Sequence, residues 1–322
     1  MKTVLLMDPI APAGEEFLSQ SLHVVKAPDS SPDTIRRLAK DVDGIIIRSK
    51  LPDDIFEAAP RVKAVAIHGT GTDLVPVASA TEHGVMVSNL PGVNAQSVAE
   101  YCVMAMLMLA RNVMWITSAM RTQPWDEARK GAVPAQELEG TTVGIIGVGE
   151  IGRRVAKICR HGFGMRVLGT QRRLDRLPPD AEGASFEKLM RESDYVVIAC
   201  PLNAETRHLI NEKTLDYMKA AAWLINVGRG AVIDETSLIR ALKNKRIAGA
   251  MLDVYEQYRL PPGHELFQLD NVILTPHLAG GTIASRARAS IAAAGEMLRM
   301  LAGERPLNLV NPDALHARPA HH

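Results

Sequence analysis

One stretch decides the fold of this chain: Val143-Gly-Ile-Ile-Gly-Val-Gly-Glu-Ile-Gly-Arg-Arg-Val-Ala-Lys157. An apolar run predicts a buried strand that ends in a G-x-G-x-x-G series, and helical periodicity begins within that series. Gly147 permits the tight turn, Gly149 lets the backbone approach a pyrophosphate, and Gly152 lets the helix pack close to the strand. Because the free amides of a helix N-terminus attract phosphate, the stretch predicts a dinucleotide-binding unit.

The residues after the next predicted strand, 165–169, distinguish between the two nicotinamide dinucleotides. An NAD site usually places a carboxylate there for the ribose 2′-hydroxyl, whereas arginine suits a 2′-phosphate. This chain has Thr170-Gln-Arg-Arg173, so Arg172 and Arg173 predict a preference for NADP. The alternative is a solvated basic turn in an NAD site, and Asp175 is near enough in sequence to keep NAD possible.

Length, composition and charge limit the class of protein. A chain of 322 residues is long enough for two domains, and 47% hydrophobic with 23% charged residues is typical of soluble globular proteins. A formal net charge of +1 argues against nucleic acid or an anionic membrane as a partner. The N-terminal apolar run is too short for a signal peptide, and residues 101–110 are too few to span a bilayer. We therefore expect a cytoplasmic protein.

The three cysteines, Cys102, Cys159 and Cys200, are widely spaced and stand in apolar surroundings. This context predicts reduced thiols in a cytosolic core and neither disulfides nor a zinc site. The histidines that end the polar tail, residues 313–322, have no spacing typical of metal ligands. No metal is expected.

Short apolar runs alternate with amphipathic segments in roughly the first 87 residues. Residues 3–7, 44–48 and 63–67 are predicted strands with helices between them, which indicates a parallel sheet covered on both faces. Ser31, followed by proline, predicts a helix start at which the serine side chain caps the free amides. The fold class of this lobe is therefore α/β.

A Gly-x-Gly loop follows the last of these strands: His68-Gly-Thr-Gly-Thr-Asp73. Free amides at the carboxyl end of a strand bind small carboxylates in open α/β sheets. The loop is a candidate anion site, although a plain turn is the better explanation when the loop is taken alone. Arg48 also follows a strand and is either a second positive feature of that crevice or an ordinary surface arginine.

A turn-rich junction at residues 89–94 leads into a predicted helix over residues 95–120. Its apolar residues cover nearly the whole circumference, so the helix requires burial on more than one side. An oligomer interface and a core helix satisfy that requirement equally. Residues 124–134 are predicted to form a loop.

Four further strands are predicted after the glycine-rich stretch, at residues 195–201, 222–230, 248–254 and 271–277. Ligands of doubly wound sheets lie outside the carboxyl ends of the strands, so Arg229, Asp253 and His277 are expected to face one crevice. For any one of these three residues taken alone, a structural role is the better explanation. Three of them beside a dinucleotide site indicate catalysis. An alanine-rich helix is predicted over residues 280–301.

Taken together, these features resemble the D-isomer-specific 2-hydroxyacid dehydrogenases, a family that includes glyoxylate/hydroxypyruvate reductases, D-lactate dehydrogenases and phosphoglycerate dehydrogenases. The resemblance covers nearly all of the chain to about residue 312. The matching runs are Gly69-Thr-Gly-Thr-Asp73, Pro91-Gly-Val-Asn94, Val98-Ala-Glu100, residues 143–152, Asn226-Val-Gly-Arg-Gly230, Leu252-Asp-Val254 and Thr275-Pro-His-Leu-Ala-Gly280.

The family resemblance implies two doubly wound parallel-sheet domains. A Rossmann cofactor domain, residues 94–283, is inserted in a flavodoxin-like substrate domain formed by residues 1–93 and 284–312, and residues 313–322 form a tail. Members of the family close a cleft by hinging at the two crossings, and they are typically homodimers through the helix predicted at 95–120.

The same resemblance implies the roles of the site residues. Arg229 would bind the substrate carboxylate and polarise the carbonyl, His277 would be the acid/base, and Asp253 would hold the nicotinamide amide. The amides of Gly69, Thr70 and Gly71 would receive the substrate carboxylate. Arg48, a candidate from its position after a strand, is the further substrate-binding residue expected at that crevice. Implied cofactor contacts are Gly147, Gly149, Glu150, Ile151, Gly152, Gln171, Arg172, Arg173, Cys200, Pro201, Thr206 and Val227. The pKa of histidine near 6.5 suits proton transfer in either direction near neutral pH.

One residue departs from the family pattern. Where the family has a glutamate that pairs with the histidine, this chain has Tyr258. A phenol is uncharged at neutral pH and does not raise the pKa of an imidazole, so the acid form of His277 is expected to be scarcer. Glu256 is two residues away and is a weaker candidate for the same contact.

Two functions remain as hypotheses from sequence. The first is an NADP-preferring reductase of a small 2-keto acid such as glyoxylate or hydroxypyruvate. The alternative is an NAD(H)-sensing binding protein on the same scaffold, with weak turnover because Tyr258 replaces the glutamate. Retention of both Arg229 and His277 favours the enzyme. Phosphoglycerate is a less suitable substrate, because Ile67 stands where phosphoglycerate enzymes tend to carry a basic residue.

Overall fold

A computed structural model describes residues 1–257 and 259–316. Tyr258 and residues 317–322, the end of the predicted tail, lie outside the described residues. The chain divides into two compact units, one formed by Met1–Asn94 with the described residues from Gly281 onward, the other by Ala95–Gly280. Each unit contains a parallel sheet with helices, which confirms the predicted α/β class.

The elements follow the chain in alternation. The strands are β1 (Thr3–Leu6), β2 (His23–Lys26), β3 (Gly44–Ile47), β4 (Ala64–Ile67), β5 (Met86–Ser88), β6 (Thr142–Ile146), β7 (Arg166–Thr170), β8 (Glu182–Gly183), β9 (Tyr195–Ile198), β10 (Trp223–Asn226), β11 (Gly249–Leu252) and β12 (Val272–Leu274). The helices are α1 (Pro12–Ser19), α2 (Pro32–Ala39), α3 (Ile55–Ala58), α4 (Val77–Glu82), α5 (Ala95–Ala110), α6 (Val113–Thr122), α7 (Trp125–Lys130), α8 (Glu150–Phe163), α9 (Phe186–Glu192), α10 (Glu212–Leu215), α11 (Glu235–Lys243) and α12 (Ile283–Leu301).

The first unit is built on a five-stranded parallel sheet in the order β2-β1-β3-β4-β5. Its central strands β3 and β4 are wholly buried, and their aliphatic side chains fill a core on each face of the sheet. Two of the five strands, β2 and β5, were not predicted from the sequence. β2 is an edge strand with no buried residue, and β5 has only three residues, so neither leaves a strong apolar pattern.

The second unit has a seven-stranded parallel sheet in the order β12-β11-β10-β9-β6-β7-β8. Alternate residues of β6 fill opposite cores, Ile145 on the face covered by α5 and α8 and Ile146 on the other. The chain moves outward from β6 to β8, then returns to β9 and continues in the opposite direction. The reversal between β6 and β9 is a topological switch point, where doubly wound sheets bind their ligands.

The prediction of one continuous helix over residues 95–120 is wrong. α5 ends at Ala110 and α6 begins at Val113, with Asn112 in the left-handed region at φ 51°. Asparagine adopts that conformation more readily than most residues, and the apolar pattern continues on both sides of it, so periodicity alone does not reveal the break. Among the described residues no single helix is long and apolar enough to cross a bilayer, and α5 and α6 reach that length only together, across a bend of 54°.

Three smaller predictions also needed correction. The loop expected at residues 124–134 contains α7, which Pro124 precedes and whose first turn carries two acidic residues. α2 begins at Pro32 as predicted, but Ser31 does not cap it, because its hydroxyl donates to the carboxylate of Asp29 instead. The polar tail expected from residue 313 starts inside a 3₁₀ turn, Pro312–Leu315, in which Ala314 is buried.

Candidate active site

The sheet of the second unit gathers the predicted site residues along one edge. Arg229 follows β10, Asp253 follows β11 and His277 follows β12, and these three strands are neighbours. Gly147 and Cys200 follow β6 and β9, the pair that flanks the switch point. Because the strands are parallel, all five residues lie at the carboxyl edge, with the glycine-rich turn on one side and the three polar residues on the other.

The turn after β6 tolerates only glycine at two positions. Gly147 has φ +93°, and a Cβ there would lie 2.6 Å from the backbone nitrogen of Cys200. At Gly152 a Cβ would lie 2.4 Å from the carbonyl oxygen of Gly147. The first glycine therefore lets β6 turn tightly beside the loop after β9, and the last lets α8 start close to the sheet.

Gly149 has a different role from the other two glycines. Apart from Gly149 and its two chain neighbours, no described residue has an atom within 4 Å of the position that its Cβ would take. α8 begins immediately afterwards at Glu150, so its free amides face the same space. Glu150 is paired with Arg154 at 2.7 Å, which offsets its negative charge near this helix end, and Ile151 packs against the core. These residues fit a dinucleotide pyrophosphate.

The loop after β9 is stiffened by its own side chains. The hydroxyl of Thr206 donates to the carbonyl of Pro201 at 2.7 Å and accepts from the amide of Asn203 at 2.8 Å. Cys200 is nearly buried, and the amide of Val227 on the neighbouring loop donates to Ile198. Thr206 therefore closes the turn, which holds Cys200 and Pro201 beside the glycine-rich loop.

Both arginines after β7 already have acidic partners. Arg172 lies 3.2 Å from a carboxylate oxygen of Glu205, and Arg173 lies 2.9 Å from one of Asp175. The arginine side chains are 74% and 58% exposed, so each pair contributes little stability and both guanidinium groups can exchange partners. Gln171 donates its side-chain amide to the carbonyl of Arg173, which orders the turn.

Asp253 organises the loop that carries His277. The residue is 2% exposed. One oxygen accepts the hydroxyl of Thr275 at 2.7 Å and the amide of Leu278 at 2.8 Å, and the other accepts the amide of Ala279 at 2.9 Å. A buried carboxylate with three donors is a strong anchor. This structural role of Asp253 was not predicted from the sequence, where the residue was expected to hold the nicotinamide amide.

Two tyrosines, neither of them predicted from the sequence as a site residue, also stabilise the same loop. Because the hydroxyl of Thr275 donates to Asp253, the phenol of Tyr101 must donate to Thr275. The phenol of Tyr255 donates to the carbonyl of Thr275 at 2.8 Å. Burial raises the pKa of Tyr101 and raises that of Tyr255 to about 12, so both remain donors throughout the neutral range.

His277 has an unusual backbone conformation, with φ +54°. Its amide donates to the carbonyl of Asp253 at 2.9 Å. A histidine in the left-handed region costs conformational free energy, and the contacts of the surrounding loop supply the compensation. The backbone position of His277 is therefore set by the loop around it.

The loop of Arg229 is held against the chain that follows β11. The side chain of Asn226 donates to the carbonyl of Arg229 at 3.1 Å, and the guanidinium of Arg229 donates to the carbonyl of Gly228 at 2.9 Å. A Cβ at Gly230 would lie 1.8 Å from the carbonyl of Tyr255, so only glycine fits there. The backbone at Arg229 therefore has little freedom to move.

Glu256, considered from sequence as a partner of His277, has its carboxylate engaged elsewhere. It lies 2.7 Å from the Nε2 of His208 and 3.6 Å from Arg207. Tyr258, the residue in the usual glutamate position, lies outside the described residues.

The first unit places the Gly-x-Gly loop and Arg48 at the carboxyl ends of adjacent strands. β3 and β4 are paired, and the amide of His68 donates to Ile47. Arg48 is exposed, and its backbone amide donates to Asp8 at 2.8 Å. Gly69, Thr70 and Gly71 follow His68 directly, so the expected anion loop and a cation share one edge of this sheet.

His68 is uncharged in the folded protein. Its Nε2 lies 2.8 Å from the hydroxyl of Ser290, which itself donates to the carbonyl of Arg286. The serine proton is thereby used, so the Nε2 of His68 must carry a proton and donate. Burial, with the charge of Arg48 as a smaller cause, lowers the pKa of His68 to about 4.

We predict that His68 makes the protein sensitive to acid. Between pH 6.5 and about 4 the unfolded chain protonates this residue and the folded chain does not, so the free energy of unfolding falls as the pH decreases through that window. The loss is up to about 3 kcal/mol. Urea unfolding of wild type and His68→Gln above and within the window measures it. Glutamine keeps the donor to Ser290 and does not titrate, so equal pH dependence of the two proteins would contradict the prediction.

Comparison with known proteins agrees with this geometry. Residues 103–279 match the family model described as "D-isomer specific 2-hydroxyacid dehydrogenase, NAD binding domain". A glyoxylate reductase from Thermofilum pendens is 36% identical over 98% of this chain and 95% of its own length. One from Aeropyrum pernix is 38% identical over 89% of this chain and 88% of its own.

A solved structure extends the likeness to the whole fold. An NADPH-dependent glyoxylate/hydroxypyruvate reductase from Sinorhizobium meliloti, in complex with citrate, superposes with a TM-score of 0.85 at 28% identity, covering 98% of this chain and 99% of that one. The same enzyme has been solved with NADP and malonate. This chain is therefore an NAD(P)-dependent oxidoreductase that belongs to the D-isomer-specific 2-hydroxyacid dehydrogenase family.

Proposed function

We propose that this enzyme is an NADPH-preferring reductase of small 2-keto acids such as glyoxylate or hydroxypyruvate, reversible as a D-2-hydroxyacid dehydrogenase. The observation that carries the proposal is the order of residues along one sheet edge, with Arg229, Asp253 and His277 on three neighbouring strands beside the dinucleotide turn. Relatives named glyoxylate reductase support the substrate class.

The residues present suit the chemistry of keto-acid reduction. When bound, the nicotinamide would supply a hydride to the keto carbon. Arg229, through its planar guanidinium, binds the substrate carboxylate and polarises the carbonyl, and His277 donates a proton to the oxygen that becomes the hydroxyl. Asp253 holds the His277 loop through one fully used oxygen, and its second oxygen accepts one amide and keeps a lone pair for the nicotinamide amide.

The first unit contributes to the substrate carboxylate in this proposal. Arg48 and the amides of Gly69, Thr70 and Gly71 bind this carboxylate. The contacts to the cofactor, in contrast, come from the second unit, from the loops after β6, β7, β9 and β10. A carboxylate is common to every 2-keto acid, so these contacts select the class of substrate and leave the side chain to be selected elsewhere.

The arginines after β7 carry the predicted preference for NADPH. In the double variant Arg172→Ala/Arg173→Ala, we expect the KM for NADPH to rise about 10- to 100-fold, because two charge-assisted contacts to the 2′-phosphate are lost. The KM for NADH should change little. Arg176→Ala, an exposed arginine of the same turn, is the matched control. Equal effects on the two cofactors would show that the arginines do not select between them.

Tyr258 is expected to lower the pH at which reduction is fastest. A carboxylate at this position would favour the imidazolium of His277 and a phenol does not, so Tyr258→Glu should move the descending limb of the kcat/KM profile to higher pH. Tyr258→Gln has the size of glutamate without its charge and should leave the limb in place. Coincident profiles for wild type and Tyr258→Glu would refute the idea.

We also propose that α5 and α6 pair with a second copy of this chain. Large apolar side chains on these two helices are more than a third exposed, which is unusual for so many neighbours on a monomer. They are Met104, Leu107, Val113, Met114, Trp115 and Met120. Light scattering after size-exclusion chromatography tests this, and a monomer at micromolar concentration would exclude it.

The decisive experiment is turnover of a 2-keto acid panel with NADH and NADPH side by side. Oxidation of NADPH by glyoxylate or hydroxypyruvate, with stoichiometric formation of the 2-hydroxy acid, is the expected result. Binding of NADPH without oxidation by any member of the panel would reject the proposal and favour the cofactor-sensing alternative.

A further inference from the structure

We propose that Asn89, held in place by Asn308, orients the carboxylate loop, which we define as residues Gly69, Thr70 and Gly71. Asn89 is thus a positioning residue for substrate binding. The inference rests on the proposed function, in which this loop receives the carboxylate of the keto acid.

Two of the three carbonyls of the carboxylate loop, those of Gly69 and Thr70, are tied to one neighbouring segment. The amide of Leu90 donates to the carbonyl of Gly69 at 2.8 Å, and the side-chain amide of Asn89 donates to the carbonyl of Thr70 at 2.5 Å. Thr70 also donates its hydroxyl to the carbonyl of Leu90 at 3.2 Å. The loop is therefore fastened along one side, by two consecutive residues of the turn-rich junction after β5.

These two contacts also determine where the loop amides point. In a trans peptide the C=O and the following N–H are directed oppositely, and the described chain has no cis peptide. The N–H of Thr70 is therefore directed away from the segment that holds the Gly69 carbonyl, and the N–H of Gly71 away from Asn89. Within residues 1–257 and 259–316 neither amide donates to a protein group. Two neighbouring free amides on one side of a loop form an anion-binding concavity.

Asn308 determines which way round the Asn89 amide lies. Asn89 is 8% exposed, and its oxygen accepts the side-chain amide of Asn308. With the oxygen so engaged, the nitrogen must face the carbonyl of Thr70. A flipped Asn89 would set its oxygen against that carbonyl and would set its NH₂ against the NH₂ of Asn308. The pair is therefore a locked unit, although 219 positions separate its members.

The expected consequence falls on binding and not on chemistry. A carboxylate is held equally in the ground state and in the transition state, so loss of its orienting contact raises KM and leaves kcat unchanged. In Asn89→Ala we expect the KM for glyoxylate to rise about tenfold, the effect of roughly one charge-assisted hydrogen bond. The kcat and the KM for NADPH should change less than about twofold. Asn308→Ala should act in the same direction and more weakly, because Asn89 remains and is only free to flip.

The matched control is Asn311→Ala. Asn311 is a second buried asparagine of the same C-terminal segment, it bonds the backbone at Val85 and Val87, and it does not contact the carboxylate loop. It should lower stability as much as Asn89→Ala does and leave the KM for glyoxylate unchanged. An unaltered KM in both Asn89→Ala and Asn308→Ala, with active wild type, would overturn the inference.

A binding measurement separates this inference from the proposed function. Oxalate presents a planar carboxylate like that of a 2-keto acid, and calorimetry gives its Kd with NADP present whether or not the protein turns over a substrate. The Kd is expected to rise about tenfold in Asn89→Ala. If no keto acid is reduced, the proposed function fails while this test still applies. The inference fails if wild type does not bind oxalate, or if wild type and Asn89→Ala bind it equally.

Discussion

Replacement of His277 by asparagine is expected to lower kcat for keto-acid reduction about 1,000-fold, the usual contribution of a well-placed general acid. The KM for NADPH should stay unchanged, because the imidazole acts on the substrate oxygen. Asparagine is the substitution of choice, since residue 277 has φ +54° and asparagine adopts the left-handed region at less cost than alanine or glutamine. A loss of activity then reports the missing proton donor and not a rearranged loop.

His208→Asn provides an unusually close control for this measurement. His208 also lies in the left-handed region, at φ +50°, in the same unit, and it pairs with Glu256. The His208→Asn variant makes the same histidine-to-asparagine change at a residue that also has a positive φ, and it should retain wild-type kcat. Steady-state kinetics with glyoxylate and NADPH compare the two. A fall of less than tenfold for His277→Asn would remove this histidine from the chemistry, and an equal fall in both variants would trace the loss to the backbone.

Asp253→Asn is expected to lower kcat/KM about 100-fold and to destabilise the protein at the same time. The carboxylate accepts from a hydroxyl and two backbone amides, and the amide that replaces it must set its own N–H groups against at least one of these donors. Leaving one such buried group unsatisfied costs about 1 to 3 kcal/mol, and the cost falls on the loop that places His277.

Asp194→Asn is the control for the stability component. Asp194 precedes β9 at the amino edge of the same sheet, where its carboxylate accepts the amide of Thr142 and pairs with Lys219. Its variant should lower the melting temperature without changing kcat/KM. Thermal unfolding and steady-state kinetics on both proteins separate the two effects. Wild-type kcat/KM in a destabilised Asp253→Asn protein would mean that the His277 loop keeps its geometry without the carboxylate.

The fold was largely predictable because its signals are local. The run from Val143 to Gly152 carries the end of a strand, a tight turn and the start of a helix within ten residues, and Gly147 and Gly152 each stand where a Cβ would clash with backbone atoms. Buried parallel strands such as β3 and β4 are also local signals, because burial on both faces makes each of them a continuous aliphatic run. Where the local signal was weak, at the exposed β2 and at the break before α6, the prediction failed.

The candidate site was predictable in part. Parallel strands bring their carboxyl ends to one edge, so polar residues after successive strands, such as Arg229, Asp253 and His277, could be grouped before any contact was known. The residues that hold them could not be found in this way. Tyr101 lies in a helix far from Thr275 in sequence, and its apolar neighbours made it look like ordinary core.

The sequence by itself determined the family, the α/β architecture and the dinucleotide turn, because these depend on residue type and short spacing, and it supplied the candidates for the reactive side chains. Only the tertiary structure decided that Asp253 anchors the His277 loop and that Asn308 locks Asn89 beneath the carboxylate loop. Such contacts join segments distant in the chain, and they form only when packing excludes water and leaves each buried donor one available acceptor.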